Sequence, residues 1–297
     1  MSAHAEFLRA ASQDAGLATQ IKTDFRKAKI SDANRRMLEF VEKLTKFPWL
    51  LVESDVRLLR EAGFSDVEIL HIVLGSAHFN YLNRMADGIG IKFEYKSDIP
   101  EFKIPSDAKP IAPSLTATDS HELPHRRTGA TIAWIKFPPS PRAEGSDGSP
   151  QNLYRVMGEN PDAKDLCRTW REYQLQATPH LDARIRARLA LFMSGMNRCD
   201  YSTHWYRQEL SRLGDDQAII NRLAQGKTPD NLSALDQLLF QHAARLTQEP
   251  WATKETHIER LRQAGLDDKA VLQLTMLASY LSFENRVALG LGVALEQ

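Results

Sequence analysis

The chain has 297 residues, with 38 Lys and Arg balanced by 38 Asp and Glu, so its formal net charge at pH 7 is +0. That balance leaves no single-sign field to steer it onto nucleic acid or an anionic membrane. Two cysteines, Cys167 and Cys199, cannot make a disulfide framework, and a reducing, cytoplasmic setting is the expectation. The opening MSAHAEFLRAASQDAG is too polar for a signal-peptide core, and runs such as VLQLTMLASYL fall far short of a membrane span.

In chain order, apolar residues recur at three- and four-residue spacing over 32–46, 53–63 and 65–87, which predicts three helices. Glu53 and Asp55 put acid in a first turn, and Gly63 follows Arg-x-Ala where a helix should stop. Nine of the 14 prolines then lie between Pro100 and Pro150, together with EGSDGSP, a composition that predicts a linker. Inside it, Thr131–Phe137 (TIAWIKF) is expected to be a short extended segment docked on one of the flanking bodies. Helical spacing resumes in DLCRTWREYQ around Cys167 and over 182–197, 201–213, 233–247, 253–264 and 267–290. Strand signals are almost absent, so the predicted class is all-α.

An internal repeat runs through this pattern. KLTKFPW (43–49) matches RLTQEPW (245–251), LLREAGFSDVEIL (58–70) matches RLRQAGLDDKAVL (260–272), and NRMADGIGI (83–91) matches NRVALGLGV (285–293), each at an offset of 202. Three matches in one register indicate a tandem duplication. The second copy has a stretch at about 131–202 with no counterpart in the first, which starts part-way through a helix. The repeated glycines are read as turns and caps, and the Asn83-Arg84 and Asn285-Arg286 pairs as structural hydrogen-bond donors.

The second copy combines AWIKFPP, an Arg-rich helix (LDARIRARLALFMSGMN), Cys199-Asp200-Tyr201-Ser202, HWYRQELSRLG, an LT-x-x-P helix, an AGL-x-D turn and a closing LGLGV. This order resembles the alkylhydroperoxidase (AhpD-like) and carboxymuconolactone decarboxylase family, specifically its peroxidase-related branch. The resemblance implies two AhpD-like helical repeats packed as a pseudo-dimer: an incomplete copy at 1–95, a Pro-rich linker at 96–130 and a complete copy at 131–297. The apolar stripes of 65–82 and 267–283 are expected to pack between the copies or between subunits of a homo-oligomer. The resemblance also implies thiol-dependent reduction of a small hydroperoxide with an external thiol reductant, no cofactor, and neither nucleic acid nor membrane as partner.

Active members of the family carry Cys-x-x-Cys-x-x-x-His on one helix, with a Glu twelve residues before the first Cys. Residues three and seven apart lie about 60° and about 20° apart around a helix, so two thiols and a base share one face. Near the helix N-terminus the dipole and free N–H groups favour a thiolate. The attacking thiolate becomes a sulfenic acid that the second Cys resolves while Glu and His relay protons.

This chain departs from the pattern. The first Cys is Cys199, the second position is Ser202, the His position is Tyr206 and the Glu position is Ala187. His204 lies five residues past Cys199 and so points about 140° away around the helix. The first copy keeps the His as His4, while the first-Cys position falls before Met1. SAHAEFLRA therefore looks like the tail of such a helix, with Met1 an internal methionine of a longer natural chain. Cys199 has two readings: a reactive thiol whose pKa is lowered by Arg184, Arg186 and Arg188 on the preceding helix, or a buried, inert thiol left from an ancestral site. A pair between Cys199 and Cys167 needs Cα atoms within about 7 Å, which sequence cannot place. His71, His78, His242 and His257 show no metal-ligand spacing, and Pro124 works against a site at His121 and His125. Two further functions stay open: an inactive member that binds a small molecule or partner in the old pocket, and a decarboxylase in which Arg184 or Arg188 grips a carboxylate.

Overall fold

The computed structural model describes residues 2–91, 132–137, 151–175 and 181–296, with the side chains of Ser2, Ala3, His4, Ala15 and Gln151 outside that description. The Pro-rich linker of 96–130, with His121 and His125, lies outside the described residues. These are helical between turns, with no strand among them.

The first part runs α1 (Ser2–Ser12), α2 (Ala15–Asp24), α3 (Asp32–Lys46), α4 (Glu53–Glu61) and α5 (Asp66–Ile89). The second runs α6 (Gln151–Arg155), α7 (Pro161–Leu175), α8 (Ala183–Met196), α9 (Asp200–Arg212), α10 (Gln217–Ala224), α11 (Ala234–Gln248), α12 (Glu255–Gln263) and α13 (Asp268–Leu291). Starts are fixed locally by side-chain caps. Ser31, Asp182, Ser233 and Asp267 each accept the backbone N–H three residues on, and Ser65 and Glu68 cap each other's backbone reciprocally. The sequence periodicity missed α2, α6 and α10, yet α2 and α10 each start at an Asp, Asp14 or Asp216, whose carboxylate accepts two backbone N–H groups. α5 and α13 stop at Gly90 and Gly292, in the left-handed region at φ 68° and 59°.

The bounds of α3, α4 and α5 recur 202 residues later, at both ends, in α11, α12 and α13, as do the short Pro-Trp turns at 48–50 and 250–252. α5 lies against α13, the two apolar stripes facing each other. Small residues let them approach. A Cβ on Gly88 would stand 2.5 Å from Thr275 Cγ2 and 3.1 Å from Leu246 Cδ2, and one on Gly290 would stand 3.0 Å from Val73 Cγ1 and 3.1 Å from Leu44 Cδ1. Adding 202 to Leu44, Val73 and Gly88 gives Leu246, Thr275 and Gly290, so the contacts are reciprocal.

The surroundings of the two helices differ. α13 is buried along most of its length beneath α7, α8, α9 and α11, whereas α5 leaves Phe79 and Leu82 exposed. One core joins α3–α5 to the second half of α13, the 132–137 segment and α6; the other fills the space among α8–α13. The 132–137 segment docks as expected. Trp134 N–H donates to Leu291 O at 2.8 Å and Ala294 N–H to Ile132 O at 2.9 Å. Arg60 Nη2 donates to Trp134 O at 2.5 Å, and Lys136 N–H to Asp66 Oδ2 at 2.8 Å. The Trp134 ring covers Gly292, where any Cβ would run into the indole. Among the described residues no helix is long and apolar enough to cross a membrane.

Candidate active site

A tight turn carries α8 into α9. Asn197 Nδ2 donates to Met193 O at 2.9 Å, Arg198 takes a left-handed φ of 50° that is uncommon for a residue with a side chain, and Cys199 N–H donates to Ser194 O at 2.9 Å. Cys199 is thereby the N-cap residue of α9, at 0% exposure. Its protonated thiol donates to Ser202 Oγ at 3.4 Å. Burial pushes the thiol pKa up to about 12, against the opposing hydrogen bonds of the Ser202 hydroxyl and N–H, while the negative charges of Asp200 and Glu284 push the same way as burial.

Of the two readings of Cys199 the structure fits the buried thiol, and no arginine of α8 acts on it. Arg188 forks onto Asp215 at 2.6 and 2.5 Å, and Arg184 donates to Leu213 O at 2.8 Å. Arg188 is thereby committed to Asp215, whereas Arg184 is exposed and spends only Nη2. Ala187, at the position of the family's Glu, is buried in α8 and brings no proton-transfer group.

Tyr206 faces a carboxylate that sequence reasoning missed. Its buried hydroxyl donates to Glu284 Oε1 at 2.9 Å, the Tyr280 hydroxyl donates to Glu284 Oε2 at 3.0 Å, and Arg171 Nε donates to the same oxygen at 3.2 Å. All four residues are buried. Burial, then the Glu284 charge, raises both tyrosine pKa values, so both hydroxyls keep their protons and serve as donors. The Arg171 guanidinium also lies 5.5 Å from the Trp205 ring centre and 5.9 Å from that of Tyr206. A signal did exist: Glu284 is the one carboxylate of α13 past its first residue, where the residue 202 positions earlier is Leu82, and Tyr280 stands 202 positions after His78.

Cys199, Ser202 and Tyr206 thus share the buried face of α9. His204 does not join them: it pairs with Gln208 at 2.9 Å and lines an open surface groove of about 500 Å³ with Arg207, Ser211 and Arg212. His4 falls in α1, its side chain outside the described residues. Cys167 is half-buried in α7, its thiol raised to about 11 by burial and then by Glu284; both cysteines are free thiols. The other histidines among the described residues have structural partners: His71 meets Asn160, His78 stacks on the Tyr81 ring, His242 meets Thr275, and His257 accepts the Lys254 N–H. Among the described residues no three metal-binding side chains gather.

No family model matches the sequence, and no curated protein matches it. Solved structures do. One, described as an alkylhydroperoxidase AhpD core and an uncharacterized peroxidase-related protein from Ralstonia eutropha JMP134, matches with a TM-score of 0.50 at 15% identity, over 57% of this chain and 95% of that one. An uncharacterized peroxidase-related protein from Silicibacter sp. TM1040 matches with a TM-score of 0.45 at 18% identity, over 48% of this chain and 74% of that one. The first of these matches takes in nearly all of the AhpD core and a little over half of this chain, and at that identity it speaks for architecture: the chain carries the all-α AhpD-type fold.

Proposed function

We propose that this chain is a peroxidase-related protein of AhpD type in which the thiol site is degenerate and Cys199 does not turn over hydroperoxide at neutral pH. The observation that carries this reading is the burial of Cys199 at 0% exposure with its thiol at about 12. At neutral pH such a group keeps its proton, and the thiolate is the species that attacks a peroxide. The rest of the machinery is missing too: Ser202 cannot resolve a sulfenic acid, Ala187 offers no proton, and the Tyr206 hydroxyl is committed to Glu284. The old pocket then serves as a polar core that fixes α7, α9 and α13 against one another. On the same footing, residues 1–95 and 131–297 are two copies of one unit in a pseudo-dimer joined by 96–130. The matching helix bounds and the reciprocal glycine contacts support that division.

A second reading has one observation in its favour: the hydroxyl and N–H of Ser202 both face Cys199 Sγ at the start of α9, where they would steady a thiolate. In that case the Cys199 thiolate attacks the peroxide oxygen, the O–O bond breaks, and the departing alkoxide takes up a proton as the alcohol. An external thiol then condenses with the sulfenic acid, releasing water, and a second equivalent of that thiol reduces the mixed disulfide. Peroxide consumption by the full chain with dithiothreitol, beside Cys199→Ser, separates the readings. The degenerate reading expects identical background rates. A rate that Cys199→Ser abolishes would overturn it and establish single-thiol hydroperoxide reduction.

A further inference from the structure

Arg84 on α5 and Arg286 on α13 stand 202 residues apart and are both buried, at 2% and 0% exposure. Each folds back on its own helix in the same way: Arg84 Nη1 donates to Asn80 O at 3.0 Å, and Arg286 Nη1 donates to Ser282 O at 3.1 Å. Both also converge on Thr45, at the end of α3. Arg286 Nη2 donates to Thr45 O at 2.9 Å, Asn80 Nδ2 donates to Thr45 Oγ1 at 3.0 Å, and Asn80 Oδ1 accepts from Arg84 Nη1 at 2.9 Å. The two guanidiniums therefore belong to one small region of the α5–α13 contact.

What these bonds leave over is donors. Arg84 Nε and Nη2, Arg286 Nε and Asn285 Nδ2 are sealed from solvent without an acceptor. Arg171, the buried guanidinium beside Tyr206, keeps Glu284 as its counter-charge, while buried Arg186 on α8 has unpartnered nitrogens of its own. Arg84 and Arg286 have no carboxylate at ion-pair distance among the described residues. Asp87, one turn on from Arg84, acts on it only through space. Burial lowers both guanidinium pKa values, and for Arg286 the charge of Arg84 adds to the effect. A water molecule accepts hydrogen bonds but brings no charge. An anion does both, and orphaned buried donors are where a bound ion is to be sought.

We propose that the α5–α13 crossing binds one compact monovalent anion of halide size between Arg84 and Arg286. The helices approach within 2.5 Å of a Cβ at Gly88, one turn away, and the sealed guanidiniums leave no path for a ligand with a carbon chain. The site is independent of the thiol position and of any turnover there. Its role is to join the two long helices by neutralising the charge that each brings to their shared seam.

The test uses the full chain in sodium gluconate, titrated with sodium chloride at constant ionic strength while thermal unfolding is followed by circular dichroism. The melting temperature is expected to rise by about 2 °C or more over a hundredfold range of chloride, with bromide acting alike. Arg84→Met, where folded, is expected to lose the response. Crystals of the unaltered chain grown in sodium bromide give a reading that needs no variant: an anomalous peak within hydrogen-bond reach of both guanidiniums. A melting temperature indifferent to halide, an unchanged response in Arg84→Met, or water alone between Arg84 and Arg286 in the bromide crystal would each overturn the proposal.

Discussion

His242 Nε2 lies 3.0 Å from Thr275 Oγ1 in the buried seam between α11 and α13, and the residues 202 positions earlier, Phe40 and Val73, are both buried and apolar. Thr275 donates its own hydroxyl hydrogen to Val271 O at 2.9 Å, so its oxygen accepts, and the imidazole carries its hydrogen on Nε2. Burial, with the charges of Arg245 and His257 adding to it, lowers the His242 pKa to about 4. A base whose folded pKa lies below its unfolded value near 6.5 contributes stability that is whole above pH 6.5 and is lost as the pH falls toward 4. The contribution is about 3 kcal/mol. Urea unfolding at a series of pH values should show that acid limb. His242→Phe with Thr275→Val, which installs the pair found 202 positions earlier, should shrink it; a limb of unchanged depth in the double variant would mean that another group titrates.

Cys199 titrates in the opposite direction. Its folded pKa of about 12 lies above the unfolded value, so the stability it contributes is present below pH 9 and drains away as the pH climbs toward 12. Alkylation of the folded Cys167→Ser chain by iodoacetamide should therefore keep rising between pH 8 and pH 11, while the urea-unfolded chain levels off near the ordinary thiol pKa of about 8.5. A plateau below pH 8 in the folded protein would reveal a thiolate that the buried geometry does not allow.

Glu284 and Arg171 should show strong coupling. Glu284→Leu, which introduces the residue found at position 82, leaves Arg171 buried without its partner, at an expected cost of about 3–5 kcal/mol. Adding Arg171→Met should recover most of that loss, because the paired charges are replaced together. Denaturant midpoints of the two singles and the double measure the coupling, and simple additivity would show that the pair does not interact.

Substitutions at the helix crossing should divide by the space each glycine has. Gly88→Ala pushes a methyl group to 2.5 Å from Thr275 and should destabilise by about 1–3 kcal/mol, net of the gain in helix propensity. Gly75→Ala, on the same helix with nothing within 4 Å, should stabilise by about 0.5–1 kcal/mol. Calorimetric melting of the two variants suffices, and equal shifts would contradict the packing described for α5 and α13.

The fold was largely legible because its long helices bury wide apolar stripes: the predicted 32–46 is α3 to the residue, and 65–87 and 267–290 fall within three residues of α5 and α13 at every end. α2 and α10 escaped notice because eight- and ten-residue helices hold too few turns for periodicity, although Asp14 and Asp216 marked their starts. The site was legible only along α9. Spacing on one helix places Ser202 and Tyr206 beside Cys199 and turns His204 aside, but nothing in it says which helix from elsewhere will face them. Glu284 lies 78 residues beyond Tyr206 and Arg171 lies 35 before it, so their meeting is a product of tertiary packing. The arginines of α8 misled for the same reason: nearness in sequence to Cys199 counted for less than the pull of Asp215 on Arg188.

The reciprocal seam of α5 and α13 also bears on how mutations reach this molecule. In an assembly of identical subunits every substitution arrives twice, so a polar group introduced beside the axis must be tolerated in duplicate. With both sides of the seam encoded separately, Leu82 can stay hydrocarbon while Glu284 carries charge, and Phe40 can stay aromatic while its opposite number titrates. Such a chain can differentiate one flank at half the burden, a freedom that no homodimer of the same architecture possesses.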